Sequence, residues 1–126
     1  MRPTILLIEP DDTVRPILVD NLKRWGYHLI VALDEADAFE RAESHGYSFD
    51  LLLINQFKGS IEHFIAIGRG TRQQAGLDSS IPLVIMADQF EPKLEGQNLQ
   101  VGEGEYVTYL EDGQQLKRLL FQLCPI

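Results

Sequence analysis

Polar residues follow two short apolar runs, and their types decide which chemistry the chain could perform. Glu9 and Asp11 come after an apolar run that ends at Ile8, and Asn55 comes after one that ends at Ile54. A polar side chain just beyond a buried parallel strand lies at the edge where α/β sheets place their ligands. A carboxylate in place of Asn55 would predict a phosphate acceptor. Asn55 has the shape of Asp but lacks its charge and nucleophilicity.

Each of these polar groups also has a purely structural interpretation. Asp11 and Asp12 are adjacent carboxylates before a predicted helix, where they suit its dipole and its free N–H groups better than they suit a metal ion. Asn55 could stabilise the turn after its strand, since Asn is a common turn residue. The histidines have no metal-ligand spacing, and we expect them to be surface or core residues: His28, His45 and His63.

Five apolar segments predict the strands that would position these groups. Four large apolar residues in succession before Asn55 are typical of a strand buried on both faces of a parallel sheet. The predicted strands cover residues 4–8, 27–33, 51–54, 81–87 and 106–110.

Helical periodicity fills the segments between these strands. Apolar residues recur at helical spacing from Val14 to Trp25, with Asp12 or Thr13 as the predicted N-cap, Pro16 in the first turn and Gly26 as the C-terminal cap. A second helix is predicted from a cap at Asp34, with Asp37 completing a capping box, to Gly46.

Three more helices are predicted in the second half of the chain. One begins near Ser60, and its glycines predict an early or frayed end: Gly68, Gly70 and Gly76. Residues 88–102 are predicted to contain a weak helix, because Gly96 and Asn98 lie inside it. Glu111 or Asp112 is predicted to cap the last helix, which ends before Pro125.

Length and composition limit the classes of function. The 126 residues predict one domain, residues 1–126, and a net charge of −8 argues against a nucleic-acid surface, which needs clustered Lys and Arg. The lone Cys124 cannot form an internal disulfide, and no signal peptide or membrane-length apolar run is present, so we expect a cytoplasmic protein without membrane contact.

The order of these elements and four local motifs resemble the receiver domain of response regulators. The matching segments are Ile5-Leu6-Leu7-Ile8-Glu9-Pro10-Asp11, Trp25-Gly26-Tyr27, Ile81-Pro82-Leu83-Val84-Ile85-Met86-Ala87 and Glu105-Tyr106-Val107. The resemblance implies a flavodoxin-like α/β fold, with a five-stranded parallel sheet in the order 2-1-3-4-5 and helices on both faces.

The same resemblance implies where the working residues of a receiver should stand. Receivers carry two acidic residues after strand one, a phosphoacceptor Asp after strand three, a Thr or Ser after strand four and a Lys after strand five. The matching positions here are Glu9, Pro10, Asn55, Ala87 and Tyr109, and only Glu9 keeps the required group. With Asp11 nearby, these residues resemble a degenerate phosphoacceptor pocket that binds neither a metal ion nor a cofactor.

The resemblance therefore predicts a pseudo-receiver, a non-enzymatic module for phosphorylation-independent protein interaction in two-component signal transduction. Its partner would be a signalling protein, an output domain or a second copy of the chain. In receivers, helix four, strand five and helix five form the interface, which implies residues 90–100, 106–109 and 114–122 here. The candidate contact residues are Phe90, Leu94, Tyr106, Tyr109, Gln114, Lys117 and Arg118.

Two alternatives remain open from the sequence. One is a receiver phosphorylated at Asp11 or Asp12. The other is a binder of a small molecule, such as a flavin or a quinone, in the crevice at the strand ends. The absence of a Ser/Thr-rich phosphate loop after the first strand disfavours FMN.

Overall fold

A computed structural model describes residues 2–45, 49–88 and 91–126 of the chain. In this part of the chain, strands and helices alternate up to the fourth strand, and a hairpin and a last helix follow. The strands are β1 (Thr4–Ile8), β2 (His28–Ala32), β3 (Leu51–Asn55), β4 (Leu83–Met86), β5 (Asn98–Gly102) and β6 (Glu105–Thr108). The helices are α1 (Arg15–Arg24), α2 (Glu35–His45), α3 (Ile61–Gln74) and α4 (Gly113–Leu123).

The strands form one sheet in the order β2-β1-β3-β4-β6-β5. The first five strands of this order are parallel, and β5 pairs antiparallel with β6 at the edge. The predicted flavodoxin-like order is confirmed, with β6 as its fifth parallel strand. The predicted number of strands is wrong, because the described residues form six and not five.

Side chains of the central strands alternate between two cores, one on each face of the sheet. Leu6, Leu52 and Ile54 pack with residues of α2 and α3. Leu7 and Leu53 pack with residues of α1 and α4. This period of two explains why continuous apolar runs are needed in the middle of the sheet, since both faces are covered.

The first helix begins later than its predicted cap. Val14 is the N-cap residue and makes no side-chain cap hydrogen bond, so the prediction of Asp12 or Thr13 is wrong. The carboxylate of Asp11 instead accepts a hydrogen bond from Thr13 N at 2.9 Å, which closes a local turn before the helix. At the other end Gly26 has a φ of 107°, as predicted for the residue after the helix.

Three predicted helix starts are confirmed by side-chain hydrogen bonds. Asp34 accepts from Asp37 N at 2.8 Å, Ser60 from His63 N at 3.0 Å, and Asp112 from Gln115 N at 2.9 Å. Gly46, the predicted end of α2, lies outside the described residues.

The predicted early end of α3 is wrong, because the helix continues through both internal glycines to Gln74. A Cβ atom on Gly68 would overlap the side chain of Leu83 on β4, so this glycine allows the helix to approach the sheet. The loss in helix propensity, about 1 kcal/mol for a glycine, is offset by this packing. Gly76, with a φ of 73°, follows the helix.

The predicted helix over residues 88–102 is also wrong. Turns lead from Glu91 to Gly96, which has a φ of 83°, and β5 follows. In Asn98-Leu99-Gln100 a half-buried leucine lies between two exposed polar residues, an alternation typical of a strand at the edge of a sheet. A turn containing Gly104, with a φ of 64°, connects β5 to β6, so the hairpin replaces the helix.

Candidate functional site

The parallel strands bring the predicted phosphoacceptor positions to one edge of the sheet. Glu9 follows β1, Asn55 ends β3, Ala87 follows β4 and Tyr109 follows β6. Ile8 lies opposite Ile54, and Asn55 opposite Met86, so these C-terminal ends are adjacent. The four positions therefore lie along the same edge of the sheet.

Glu9 and Asn55 make the central contact of this site. Asn55 Nδ2 donates a hydrogen bond to Glu9 Oε2 at 2.8 Å, and Asp11 N donates to the same oxygen at 3.3 Å. Glu9 is fully buried, and burial raises the pKa of its carboxyl group above its ordinary value, against the opposing effect of these hydrogen bonds. The amide of Asn55 therefore supplies part of the hydrogen bonding that a buried carboxylate requires.

The other acidic residues of the first loop point to local partners. Asp11 accepts from Thr13 N, and Asp12 forms an ion pair with Arg15 while its side chain remains 88% exposed. Arg15 also donates to the main-chain oxygen of Glu9 at 2.9 Å, so its guanidinium fastens the loop to the end of β1. Pro10 offers no side-chain ligand atom.

The side chains at this site do not form a suitable set of ligands for Mg²⁺. The ion needs several oxygen ligands and keeps bound water, usually on carboxylates. One oxygen of Glu9 already accepts two hydrogen bonds, and Asn55 turns its amide nitrogen towards it. In the described part of the chain, no three His, Cys, Asp or Glu residues are grouped to hold a metal ion.

Ala87 and Tyr109 are half-buried and pack against the core on the α2 and α3 side of the sheet. Ala87 N donates to Thr108 O at 2.9 Å, which extends the pairing of β4 and β6. Tyr109 is held through its main chain, because its N–H donates to Gln97 O at 2.9 Å and its carbonyl accepts from Gly96 N at 2.7 Å. Neither side chain brings a hydroxyl of Ser or Thr or a cation to the site.

Gln56, which the sequence did not single out, connects two loops at the site. Its side chain is almost fully buried. Its Nε2 donates to Gly59 O at 2.8 Å, and its Oε1 accepts from Asp88 N at 2.9 Å. The loop after β3 is thereby fixed to the loop after β4 by a neutral side chain. A glutamine after a strand carries no periodic signal that would have revealed this.

A second polar network holds β5, β6 and α4 together. Gln115 Nε2 lies 2.9 Å from Asn98 Oδ1 and 3.2 Å from Thr108 Oγ1, and Thr108 donates to Asn98 at 2.6 Å. Gln115 Oε1 accepts from Glu111 N at 2.9 Å. Gln115 and Thr108 are both buried. Their hydrogen bonds fix the edge hairpin to the helix that follows it.

A cavity of about 320 Å³ lies between α1, the strand ends and the start of α4. Glu9, Asn55 and Ala87 line it, so the structure brings these three predicted residues together. Pro10, Asp11 and Tyr109 are not part of its lining. The cavity continues along α1 past Ile17, which is 65% exposed, and therefore opens to the surface.

The residues of the predicted interface occupy several environments. Gln114 and Arg118 are exposed on α4, and Lys117 lies with Nζ 5.6 Å from the centroid of the Phe121 ring. Tyr106 is half-buried against the core on the α1 and α4 side, and Leu94 is half-buried in the turn before β5. Phe90 lies outside the described residues. The helix expected to form part of this surface is replaced by the hairpin.

Within residues 2–45, 49–88 and 91–126, no helix combines the length and the apolar character needed to cross a bilayer.

Solved receiver structures are similar to this chain over nearly its full length. A response regulator receiver domain protein from Bacillus halodurans has a TM-score of 0.69 at 14% identity, with 100% of both chains covered. A chemotaxis protein of Vibrio cholerae has a TM-score of 0.69 at 14% identity, covering 98% of this chain and 99% of its own. The chain has the receiver-domain fold.

A third similar structure is the receiver domain of a sensor histidine kinase from Pseudomonas aeruginosa, with a magnesium ion coordinated in its active site cleft. It has a TM-score of 0.67 at 19% identity, and 98% of each chain is covered. No family model matches the sequence, and a search of curated proteins finds no match either. The likeness to receivers therefore concerns the fold.

Proposed function

We propose that this chain acts in signal transduction as a receiver-like interaction module that accepts no phosphoryl group. The observation that carries the proposal is the contact between Asn55 Nδ2 and Glu9 Oε2 at 2.8 Å. The position that would hold the nucleophile holds a hydrogen-bond donor, and that donor is already in use.

Phosphoryl acceptance would need an anionic oxygen that attacks phosphorus. The neutral amide of Asn55 supplies none. The transition state would also need positive charge or hydrogen-bond donors around the transferred group. Ala87 and Tyr109 bring neither a cation nor an aliphatic hydroxyl. On these grounds the proposed module does not catalyse its own phosphorylation.

The contacts of Gln56 support a module that is held in one state. A phosphate-driven switch needs a ligand that distinguishes two arrangements of the loops. Here Gln56 connects the loop after β3 to Asp88 N at 2.9 Å without any ligand. Partner binding would then depend on the surface of the domain and not on phosphorylation.

The proposed partner is another signalling protein, an output domain or a second copy of this chain. The proposed contact surface comprises the α4 side chains Gln114, Lys117 and Arg118, together with Leu94 in the turn before β5 and Tyr106 on β6. Lys117 and Arg118 are cations on a chain of net charge −8, so they would favour an acidic patch on the partner.

The test combines phosphorylation and binding assays on the full chain. Acetyl phosphate with Mg²⁺ should add no mass, and BeF₃⁻ should leave the NMR signals of Asn55 and Ala87 in place. Proteins captured from a native extract should then be identified and their affinity measured with and without acetyl phosphate. Equal affinity in both conditions is the expected result.

Arg118→Glu should weaken capture of the identified partner, and Lys23→Glu, an equal charge reversal at an exposed position of α1, is the matched control. Stoichiometric phosphorylation, or an affinity that rises with phosphorylation, would refute the proposed function.

A further inference from the structure

The cavity beside Glu9 combines apolar walls with a buried carboxylate. Its apolar lining includes Ile17, Leu18, Trp25, Met86, Leu110 and Leu116. Glu9 is fully buried and Ile17 is exposed, so the lining of the cavity extends from the interior to the surface. Small-molecule sites commonly have this form, with an apolar wall and a few polar groups that fix orientation.

One oxygen of the buried carboxylate lacks a hydrogen-bond donor. Glu9 Oε2 accepts from Asn55 and Asp11, but Oε1 has no partner among the described residues. Arg15, the nearby cation, donates to the main chain of Glu9 and pairs with Asp12, and not with this carboxylate. A buried acceptor of this kind is costly unless a donor reaches it.

The charge at the rest of the cavity has the same sign. Glu111 and Asp112 also line it, at the start of α4. The carboxylate of Asp112 caps that helix at Gln115 N, which offsets the partial positive charge of the helix end. Anions are therefore disfavoured in this cavity.

We propose that this cavity binds a small organic cation, an ammonium or amidinium group on an apolar body, whose N–H donor reaches Glu9 Oε1. The apolar body would lie along Leu18, Trp25 and Leu116. A bare metal ion is not the occupant we propose, because the described residues offer no group of three His, Cys, Asp or Glu ligands for it. The inference does not depend on the proposed interaction with a protein partner.

Three probes of nearly equal shape separate the effect of charge on binding from the effect of shape. Benzamidine is a cation, benzamide is its neutral analogue and benzoate is an anion. Each is titrated into the full chain and followed by two-dimensional NMR. Benzamidine should give saturable shifts at Glu9, Asn55 and Leu110 and bind at least about tenfold more tightly than benzamide, as expected for one charge-assisted hydrogen bond. Benzoate should not bind.

Two variants connect the binding to Glu9. Glu9→Gln should bring the affinity for benzamidine down to that for benzamide, while Glu43→Gln, the same change at an exposed position of α2, should leave it unaltered. Ile17→Lys places an ammonium group at the exposed mouth of the cavity and should lower the affinity for benzamidine more than the affinity for benzamide. This variant tests the site even if Glu9→Gln does not fold.

Four results would each overturn the inference. They are the absence of saturable shifts with benzamidine, equal affinities for benzamidine and benzamide, shifts confined to residues outside the cavity, and an affinity that neither variant reduces.

Discussion

Asn55 Nδ2 donates to Glu9 Oε2 across 2.8 Å at the point where β1 and β3 end. The pair occupies the edge at which a receiver would place two carboxylates. One buried carboxylate and one amide form a neutral-to-anion hydrogen bond, which is stable without a cation. Two carboxylates at this distance would repel each other. The amide thus stabilises the folded chain in the absence of metal.

Asn55→Asp should destabilise the protein at neutral pH by about 1–3 kcal/mol, because a hydrogen bond to a charged group becomes a like-charge contact. Urea unfolding measures the change. The penalty should shrink as the pH falls, since one shared proton restores a donor between the two carboxyl groups. Asn55→Ala, which removes the donor without adding charge, is the control and should be less pH-dependent. An Asp variant as stable as the parent at neutral pH would contradict this account.

The same variant should remain a poor phosphoacceptor. Ala87 and Tyr109 still supply no hydroxyl of Ser or Thr and no cation, and each missing electrostatic contribution is typically worth about 3 kcal/mol in rate. Mass spectrometry after incubation with acetyl phosphate and Mg²⁺ gives the extent of labelling. Rapid, stoichiometric labelling of Asn55→Asp would show that the nucleophile alone limits the chemistry.

Mg²⁺ at millimolar concentration should leave the melting temperature of the unaltered protein nearly constant. Pro10 and Asn55 provide no carboxylate, and a site with Kd above the working concentration stabilises by less than about 0.4 kcal/mol. Thermal unfolding with and without the ion is the measurement. Asn55→Asp, with its second carboxylate, should respond more. A rise of several degrees in the melting temperature of the unaltered protein would mean that it does bind Mg²⁺ at this concentration.

Glu9→Gln should change the pH dependence of stability in a defined direction. Burial raises the pKa of Glu9 in the folded state above 4.5, so the folded chain holds this proton more tightly than the unfolded chain. The stabilisation from Glu9 is complete below pH 4.5 and is lost as the pH rises through the raised pKa. The stability of Glu9→Gln relative to the parent should therefore increase across that window.

Chemical unfolding at several pH values measures this difference for Glu9→Gln. The exposed control Glu43→Gln should show no such trend. A difference that is flat with pH, or that falls as the pH rises, would contradict the direction assigned to the pKa of Glu9.

The sequence predicted best where a local signal and tertiary packing agree. Gly26 and Asp112 end and start helices as expected, because a positive φ and a side-chain cap are properties of a few adjacent residues. Gly68 led to the wrong prediction of an early end of α3, because this glycine is needed for the close packing of α3 against Leu83 on β4. The predicted helix around Gly96 is wrong, because the strand that begins at Asn98 depends on pairing with β6, which no local signal contains.

The candidate site divides in the same way. Glu9 and Asn55 could be placed from the strand order, since parallel strands bring their ends together. Gln56 and Gln115 could not, because each acts through hydrogen bonds to elements distant in the chain. Their residue type alone predicts an exposed side chain.

Glu105 forms a buried ion-pair cluster at the start of β6, at the opposite end of the strand from the site. Its Oε2 lies 2.6 Å from Arg72 and its Oε1 lies 2.6 Å from Arg69. The side chain of Arg72 is 8% exposed and that of Arg69 is 58% exposed. Arg72 also donates to Ile81 O at 3.1 Å, so it fixes both β6 and the segment before β4.

Arg72→Met should therefore destabilise the protein by about 3–5 kcal/mol, the usual result of leaving one member of a buried ion pair alone. Arg69→Met, the matched change to the other arginine bound to the same carboxylate, should cost less because water already screens that guanidinium.

The contribution of Glu105 should also depend on pH. Hydrogen bonds from Arg69, with the charge of both arginines, lower the pKa of Glu105 in the folded state. The stabilisation is thus present above pH 4.5 and is lost as the pH falls through the lowered pKa. Urea unfolding of both variants near neutral pH and in acid is the measurement. Equal losses for the two variants, or a cost of Arg72→Met that persists when Glu105 is protonated, would show that the methionine disrupts packing and not the ion pair.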